Sequence, residues 1–286
     1  MNKVLFATDL SPISAAALPH AINFTAMKGG ELHLLHAIVL HGTGSRLEEL
    51  AEEEEEARVA LDGMGPARTR VVRAVVRGVA AAPSIVEYAD VQGVELIVMG
   101  SHGRRGVRRL LLGSVTEEVV RASECPVLVV PRTPDGAPAR HNYARILAPI
   151  DFSIQSEAGL RVAADLARRF DAGLELIHAV DIPTLPELYG PSAGPLVDVK
   201  RATDAAMATI ETLAAPLRHD VTVATSTSVG GAVHTILEAA EPDTDLIVMP
   251  THGYSGLDRL LMGSVAEGVL RRARCPVLLI KPSVLP

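Results

Sequence analysis

The sequence of this 286-residue chain repeats itself, and this repetition constrains the fold more than any other feature. The segment VLFATDLS at Val4–Ser11 returns 142 positions later as ILAPIDFS at Ile146–Ser153. The segment ELIVMGSHG at Glu95–Gly103 returns 150 positions later as DLIVMPTHG at Asp245–Gly253. Two copies of one folding unit are therefore predicted, and the extra residues of the second copy fall in the Pro/Gly-rich stretch 182–195.

The boundary between the copies lies in the stretch PRTPDGAP at 131–138. This stretch lacks hydrophobic periodicity and is dense in turn-forming residues, which is typical of a linker. We predict a first domain at 1–133, a linker at 134–143 and a second domain at 144–286. Hydrophobic residues make up 48% of the chain, enough for a separate core in each domain.

Short apolar runs alternate with longer helical patterns in each copy, which is typical of βαβ units and a parallel sheet covered on both faces. The strands are predicted near 3–8, 31–38, 70–76, 95–99 and 126–130, and again near 145–150, 174–180, 221–227, 245–249 and 276–280. Helices in the first copy are predicted at Ala15 to Lys28, Leu47 to Met64, Pro83 to Gln92 and Ser114 to Ala122. We therefore expect an α/β protein with two tandem Rossmann-like, doubly wound domains, each with a five-stranded parallel sheet.

Charge and composition exclude several classes of protein. A formal net charge of −7 and a pI near 5.8 argue against binding to nucleic acid or to an anionic membrane, because such proteins carry a basic face. No apolar run reaches the roughly 18 residues of a membrane span. Two cysteines, Cys125 and Cys275, do not make a disulfide framework. We expect a soluble, cytoplasmic protein.

The candidate site consists of polar and glycine residues directly after strands 1 and 4, because ligands of open parallel sheets bind beyond the carboxyl ends of the strands. Asp9 and Asp151 follow strand 1 of each copy. After strand 4 of the first copy come Gly100, Gly103 and then Gly113–Ser114 at the start of a helix. Glycines allow a backbone to approach phosphate closely, and a helix N-terminus favours an anion. This spacing predicts a phosphate-binding loop.

The same residues also have structural interpretations. Ser114 with Glu117, and Ser264 with Glu267, have the spacing of capping boxes. Asp9 or Ser11 could cap the first helix, with Pro12 in its first turn. The histidines of the two strand-4 loops, His102 and His252, are expected to be hydrogen-bonded or exposed loop residues and not catalytic groups. No nucleophile with an adjacent base and no metal-ligand spacing is recognisable.

The spacing Gly-x-x-Gly, nine residues, Gly-Ser after the fourth strand resembles the ATP-binding signature of universal stress proteins. Asp9 resembles their nucleotide-contacting aspartate, and the likeness extends over nearly all of both copies, including His36-Ala37 and His178-Ala179. It implies a tandem member of that family with strand order 3-2-1-4-5 in each domain. In that order the strands at 127–130 and 277–280 lie at sheet edges, and we expect them to cover each other.

The resemblance also implies the ligand and its contacts. It implies ATP with Mg²⁺, adenine near Asp9 and Ala37, and phosphates on Gly103, Gly113 and Ser114, with Gly100 as the first signature glycine. The corresponding residues of the second copy are Asp151, Ala179, Gly253, Gly263 and Ser264. Pro250 replaces the first glycine there and weakens the prediction for the second site.

The predicted function is ATP binding by a regulatory protein of the stress response, with no catalytic residues. A slow ATPase or adenylate-transferring enzyme and a nucleotide-free structural or interaction protein stay open as alternatives. The expected partners are a nucleotide, an unidentified regulatory protein and a second copy of the chain. The N-terminal site should bind the triphosphate better, because its loop carries Arg104, Arg105, Arg108 and Arg109. The corresponding segment of the second copy carries only Arg259, opposed by Asp258.

Overall fold

The computed structural model describes residues 2–26, 29–40, 47–66, 69–101, 112–132, 141–181, 198–241, 243–253 and 262–281. These residues form two compact units. Unit 1 contains the described residues up to His141, together with Met262 and the segment from Arg274 to Lys281. Unit 2 contains those from Asn142 to Gly253 and from Gly263 to Ala273.

The elements of unit 1 alternate between strand and helix. They are β1 (Lys3–Ala7), α1 (Pro12–Ala15), α2 (Leu18–Ala26), β2 (Glu31–Val39), α3 (Leu47–Asp62), β3 (Arg70–Gly78), α4 (Ala81–Gln92), β4 (Leu96–Gly100), α5 (Ser114–Ala122) and β5 (Val127–Val130).

The elements of unit 2 repeat this alternation. They are β6 (Arg145–Pro149), α6 (Ile154–Phe170), β7 (Gly173–Val180), α7 (Val199–Ala214), a short 3₁₀ turn (Ala215–Leu217), β8 (Val223–Val229), α8 (Ala232–Ala240), β9 (Leu246–Pro250) and α9 (Ser264–Arg272). The last strand of the chain, β10 (Val277–Ile280), belongs to unit 1.

The sheet of unit 1 has the order β3-β2-β1-β4-β5, and all these neighbours are parallel, as predicted. Val4, Leu5 and Phe6 in the central strand β1 are fully buried, which explains why this strand has a continuous apolar run and no alternation. In unit 2 the parallel order is β8-β7-β6-β9. The carboxyl ends of β1 and β4 are therefore adjacent, and so are those of β6 and β9.

Strand β10 pairs with β5 in the antiparallel direction, with Leu278 opposite Leu128. Both leucines have no exposed surface. The expectation that these two apolar edge strands cover each other is confirmed.

The helix predicted at Ala15 to Lys28 is instead two helices, α1 and α2, with a break at Ala16 and Ala17. Pro19 explains the break, because proline has no N–H to donate to the carbonyl of Ala15 and its ring would clash with that carbonyl. Both cysteines are free thiols, with Cys275 buried and Cys125 half-buried. Within the described part of the chain, no helix is both long enough and apolar enough to cross a membrane.

Candidate functional site

The turn that follows the first strand of each unit holds its aspartate in one orientation. In unit 1, Oδ1 of Asp9 accepts hydrogen bonds from the backbone N of Ser11 at 3.0 Å and from its Oγ at 2.6 Å. In unit 2, Oδ1 of Asp151 accepts from the N and Oγ of Ser153 at 3.0 and 2.5 Å. Each serine also caps the next helix with its hydroxyl, which for Ser11 is one of the two predicted alternatives.

The residue after each aspartate has a left-handed backbone conformation. Leu10 has φ 63° and Phe152 has φ 60°. Non-glycine residues rarely adopt this conformation, which costs of order 1–3 kcal/mol and persists only where the surroundings enforce it. Its occurrence at the same place in both units indicates that the turn geometry is specified together with the aspartate orientation.

The helix that follows the fourth strand begins at Ser114, as predicted, but its cap differs from the predicted one. Gly113 is the N-cap of α5, and Ser114 is its first helical residue. Gly263 and Ser264 take the same positions in α9. The two predicted capping boxes are therefore wrong, because the extended backbone of each glycine starts the helix one residue earlier than a serine cap would.

A backbone bond fixes each of these glycines to its loop. The N of Gly113 donates to the O of Ser101 at 2.8 Å, and the N of Gly263 donates to the O of Thr251 at 2.9 Å. In unit 1, Thr116 in the first turn of α5 also donates from Oγ1 to the O of Gly100 at 2.9 Å. Gly100 itself is the last residue of β4, not a loop residue.

The predicted site residues of the second copy lie around one cavity in unit 2, with a volume of about 230 Å³. Its lining includes all five of them: Asp151, Ala179, Gly253, Gly263 and Ser264. Apolar side chains such as Ile150, Ile236 and Met249 complete the wall. An apolar pocket with a few polar groups is the usual form of a small-molecule site.

Gly253 lies directly against the carboxylate of Asp151. A Cβ added at this glycine would stand 2.3 Å from Oδ2 of Asp151. No side chain fits there unless the carboxylate moves, so a glycine is required for contact between the strand-4 loop and the strand-1 turn.

Pro250, which replaces the first signature glycine, lies close to Gly159 of α6. A Cβ added at Gly159 in α6 would lie 3.4 Å from Cδ of Pro250. The first copy has Ala17 at the position of Gly159 and Gly100 at the position of Pro250. The bulkier strand residue therefore faces the smaller helix residue.

In unit 1 the structure places most of the predicted residues at the carboxyl edge of the sheet. Asp9 follows β1, Gly113 and Ser114 start α5, and Ala37 lies in β2 two residues beyond Leu35, the last register partner of β1. Gly103, His102 and the arginines at 104–109 lie outside the described residues. His252 in unit 2 is buried, and its Nδ1 lies 3.0 Å from Oγ1 of Thr251, in agreement with a hydrogen-bonded loop residue.

Another buried histidine, His33, lies toward the opposite end of β2 and does not belong to this site. Its Nδ1 is 2.8 Å from Oη of Tyr88, and its Nε2 is 2.8 Å from Oε1 of Glu31. Burial lowers the pKa of His33 and raises that of Tyr88. Both groups are therefore neutral near pH 7, and they join β2 to α4.

Sequence reasoning did not predict the side-chain hydrogen bonds that hold the turn after β1. Oγ1 of Thr8 lies 2.8 Å from Oγ of Ser14, and Nδ1 of His36 lies 2.9 Å from the O of Thr8. The available signal was the histidine that recurs at the end of the second strand as His178. The repeat pairs the residues but does not reveal which atoms they contact.

Comparison with known proteins finds one family for both copies. The family model described as the universal stress protein family matches residues 1–131 and again residues 142–281. A universal stress protein of Mycobacterium tuberculosis is 30% identical over 228 residues, which are 79% of this chain and 74% of that protein. One from Mycolicibacterium smegmatis is 26% identical over 294 residues, which are 98% of this chain and 97% of that protein.

A solved structure also resembles this chain over its length. The crystal structure of a universal stress protein from Archaeoglobus fulgidus has a TM-score of 0.69 and covers 98% of this chain and 96% of its own. The identity is 23%, so this likeness concerns the fold.

Proposed function

This chain belongs to the universal stress protein family, and from that premise we propose that it is an ATP-binding regulatory protein of the stress response. The nucleotide lies beyond the carboxyl ends of the first and fourth strands of each repeat. Adenine lies beside Asp9 in one site and Asp151 in the other, and the phosphates lie against the N-termini of α5 and α9.

The observation that carries this proposal is the cavity of unit 2, around which all five predicted residues of the second copy lie. At about 230 Å³ the cavity is smaller than the roughly 300–1,000 Å³ of most small-molecule sites. We therefore assign the base and the ribose to the cavity, and the phosphates to the backbone at Gly263 and Ser264.

The polar groups of the site suit these parts of a nucleotide. Oδ1 of Asp151 is occupied by Ser153, so the carboxylate is held in place to accept from a ribose hydroxyl or an exocyclic amine. Backbone N–H groups in the first turn of α9 favour phosphate oxygens. Gly253 keeps the strand-4 loop close to Asp151, so that the nucleoside and the phosphates can be bound at the same time.

Magnesium would enter with the triphosphate. In the described part of the chain no group of three or more His, Cys, Asp or Glu side chains could hold a metal ion. Mg²⁺ commonly keeps several waters and binds through substrate phosphates with one or two carboxylates, so such a cluster is not needed. Bound there, it would neutralise phosphate charge.

The two sites differ, and we propose that the N-terminal one binds the triphosphate more tightly. The segment 104–112 carries four arginines, whereas 254–262 carries one arginine and one aspartate. Positive charge within about 8–10 Å of the phosphates would favour binding, and more distant charge is screened.

The test is calorimetry with ATP on the unmodified protein, on Asp9→Asn and on Asp151→Asn. Asparagine keeps an oxygen for the serine bonds but loses the charge, so each variant should weaken its own site by about 10–100-fold. Asp243→Asn, at an exposed position paired with Arg145, is the control and should change nothing. Unmodified protein that binds no ATP refutes the proposal, and a larger loss from Asp151→Asn reverses the order of the sites. Steady production of ADP would show that the protein is an ATPase instead.

A further inference from the structure

Each unit has a histidine whose ring binds the carbonyl just before the site aspartate. Nδ1 of His36 lies 2.9 Å from the O of Thr8, and Nδ1 of His178 lies 2.7 Å from the O of Ile150. The two pairs have the same sequence separation of 28 residues. The arrangement is thus built twice in one chain, from sequences that differ around it.

The chemistry of this contact fixes the protonation of one ring nitrogen. A carbonyl oxygen only accepts hydrogen bonds, so Nδ1 must carry the proton in both histidines. Nδ1 carries a proton in the neutral tautomer selected here and also in the imidazolium. The bond therefore forms whether or not Nε2 also carries a proton.

The position of the carbonyl explains why a side chain is used. Strand β1 ends at Ala7, and the N of Thr8 donates to the O of Leu35 at 3.0 Å. In unit 2 the N of Ile150 donates to the O of Ile177 at 2.8 Å. One residue later the chain turns away from the neighbouring strand, and the imidazole supplies a donor at this point.

The bond holds the peptide plane that leads into the aspartate. On the other side of Asp9, Leu10 has a positive φ and Ser11 binds the carboxylate. The aspartate is thus fixed from its amino side by the histidine and from its carboxyl side by the serine.

We infer that His36 and His178 are positioning residues of the two nucleotide sites, each orienting its aspartate through the preceding carbonyl. This inference rests on the proposed function. The two histidine rings differ in their surroundings. Phe152 lies over the ring of His178, with centroids 4.3 Å apart, and His178 also lines the cavity. His36 is 9% exposed and has Leu10 in the place of Phe152.

The experiment replaces the donor atom and then restores it. Asparagine can place its amide N near the position of Nδ1, glutamine places its amide N near Nε2, and leucine has neither. We expect His36→Leu and His36→Gln to weaken ATP binding at the N-terminal site at least tenfold, and His36→Asn to stay within threefold of the unmodified protein. The same series at His178 should act on the second site.

Two readouts separate this inference from the proposed function. ¹⁵N NMR of the histidine rings should show a persistent Nδ1–H for His36 and His178 at pH 5.5 and pH 8, with or without nucleotide. If the unmodified protein binds ATP and a folded His36→Gln variant binds it equally well, the positioning role is wrong. Loss of the Nδ1–H signal at pH 8 also overturns it. No ATP binding by the unmodified protein, with both signals present, refutes the nucleotide role alone and leaves the anchor standing.

Discussion

Lys281 should make the stability of this protein rise with pH in an alkaline window. The residue is 5% exposed, and Nζ donates to the O of Arg121, the penultimate residue of α5, at 3.1 Å. Burial is the largest cause that lowers the pKa of this lysine from 10.5 to about 8, and the nearby Glu124 opposes it. The ammonium is retained at pH 7, although its burial costs free energy.

The sign follows from proton uptake. Between about pH 8 and pH 10.5 the unfolded chain keeps a proton on Lys281 that the folded chain has released. Stability rises with pH wherever the unfolded state binds more protons. Each pKa unit corresponds to about 1.4 kcal/mol, so the penalty present at pH 7 and removed by about pH 10.5 is at most about 3 kcal/mol.

The substitution Lys281→Met keeps the length of the side chain and removes the charge. At pH 7 it removes the penalty of about 3 kcal/mol and loses one hydrogen bond worth about 1 kcal/mol, so the variant should be about 2 kcal/mol more stable. Near pH 10 most of the penalty has gone from the unmodified protein as well. The advantage should then disappear or reverse by a few tenths of a kcal/mol.

Urea unfolding at pH 7, 8, 9 and 10 measures this difference directly. The matched control is Lys200→Met, at an exposed lysine that forms an i,i+4 pair with Asp204, and its effect should stay small at every pH. Other groups titrate in this range, but they are common to all three proteins and cancel in the comparison. If the curves of the unmodified protein and Lys281→Met run parallel from pH 7 to pH 10, the reasoning is refuted.

Three further predictions concern the site and the sheet. Gly253→Ala should weaken nucleotide binding to the second site by displacing the Asp151 carboxylate, whereas Gly231→Ala, where an added Cβ meets nothing within 4 Å, should leave it unchanged in calorimetry. Ser153→Ala should cost about 1 kcal/mol in urea unfolding because it removes the cap of α6; an unchanged midpoint would contradict this. Leu278→Ala should cost about 2–5 kcal/mol through a cavity beside β5, and a loss below 1 kcal/mol would mean that the pairing contributes little.

The sequence predicted the strands well and brought the candidate site residues to one edge of the sheet, because both depend on simple patterns. A buried parallel strand needs a continuous apolar run, and the polar residues that end such a run must lie at the ligand-binding edge. Because the chain contains two copies, each predicted strand could be compared with its counterpart in the other copy. The predicted site residues that the structure describes accordingly lie at that edge in both units.

Helix caps and breaks were less predictable than the helices themselves, because competing signals lie one or two residues apart. A Ser-x-x-Glu spacing at 114–117 indicates a cap, but the extended backbone of Gly113 takes the cap position instead. Pro19 suits the first turn of α2 and for the same reason interrupts a longer helix before it. In both places the deciding factor was a backbone conformation, which side-chain patterns report poorly.

The contacts that the sequence could not supply are those that join distant segments through single atoms. Nothing in the repeat identifies the carbonyl bound by His36, because a histidine at the end of a strand is equally compatible with a core or a ligand role. The proline of the second site illustrates the same limit. Read alone, Pro250 indicates a weakened loop, but its ring packs beside Gly159, where even an added Cβ would be at ordinary contact distance. The difference proposed between the two sites therefore depends on the charges of segments 104–112 and 254–262 more than on this proline.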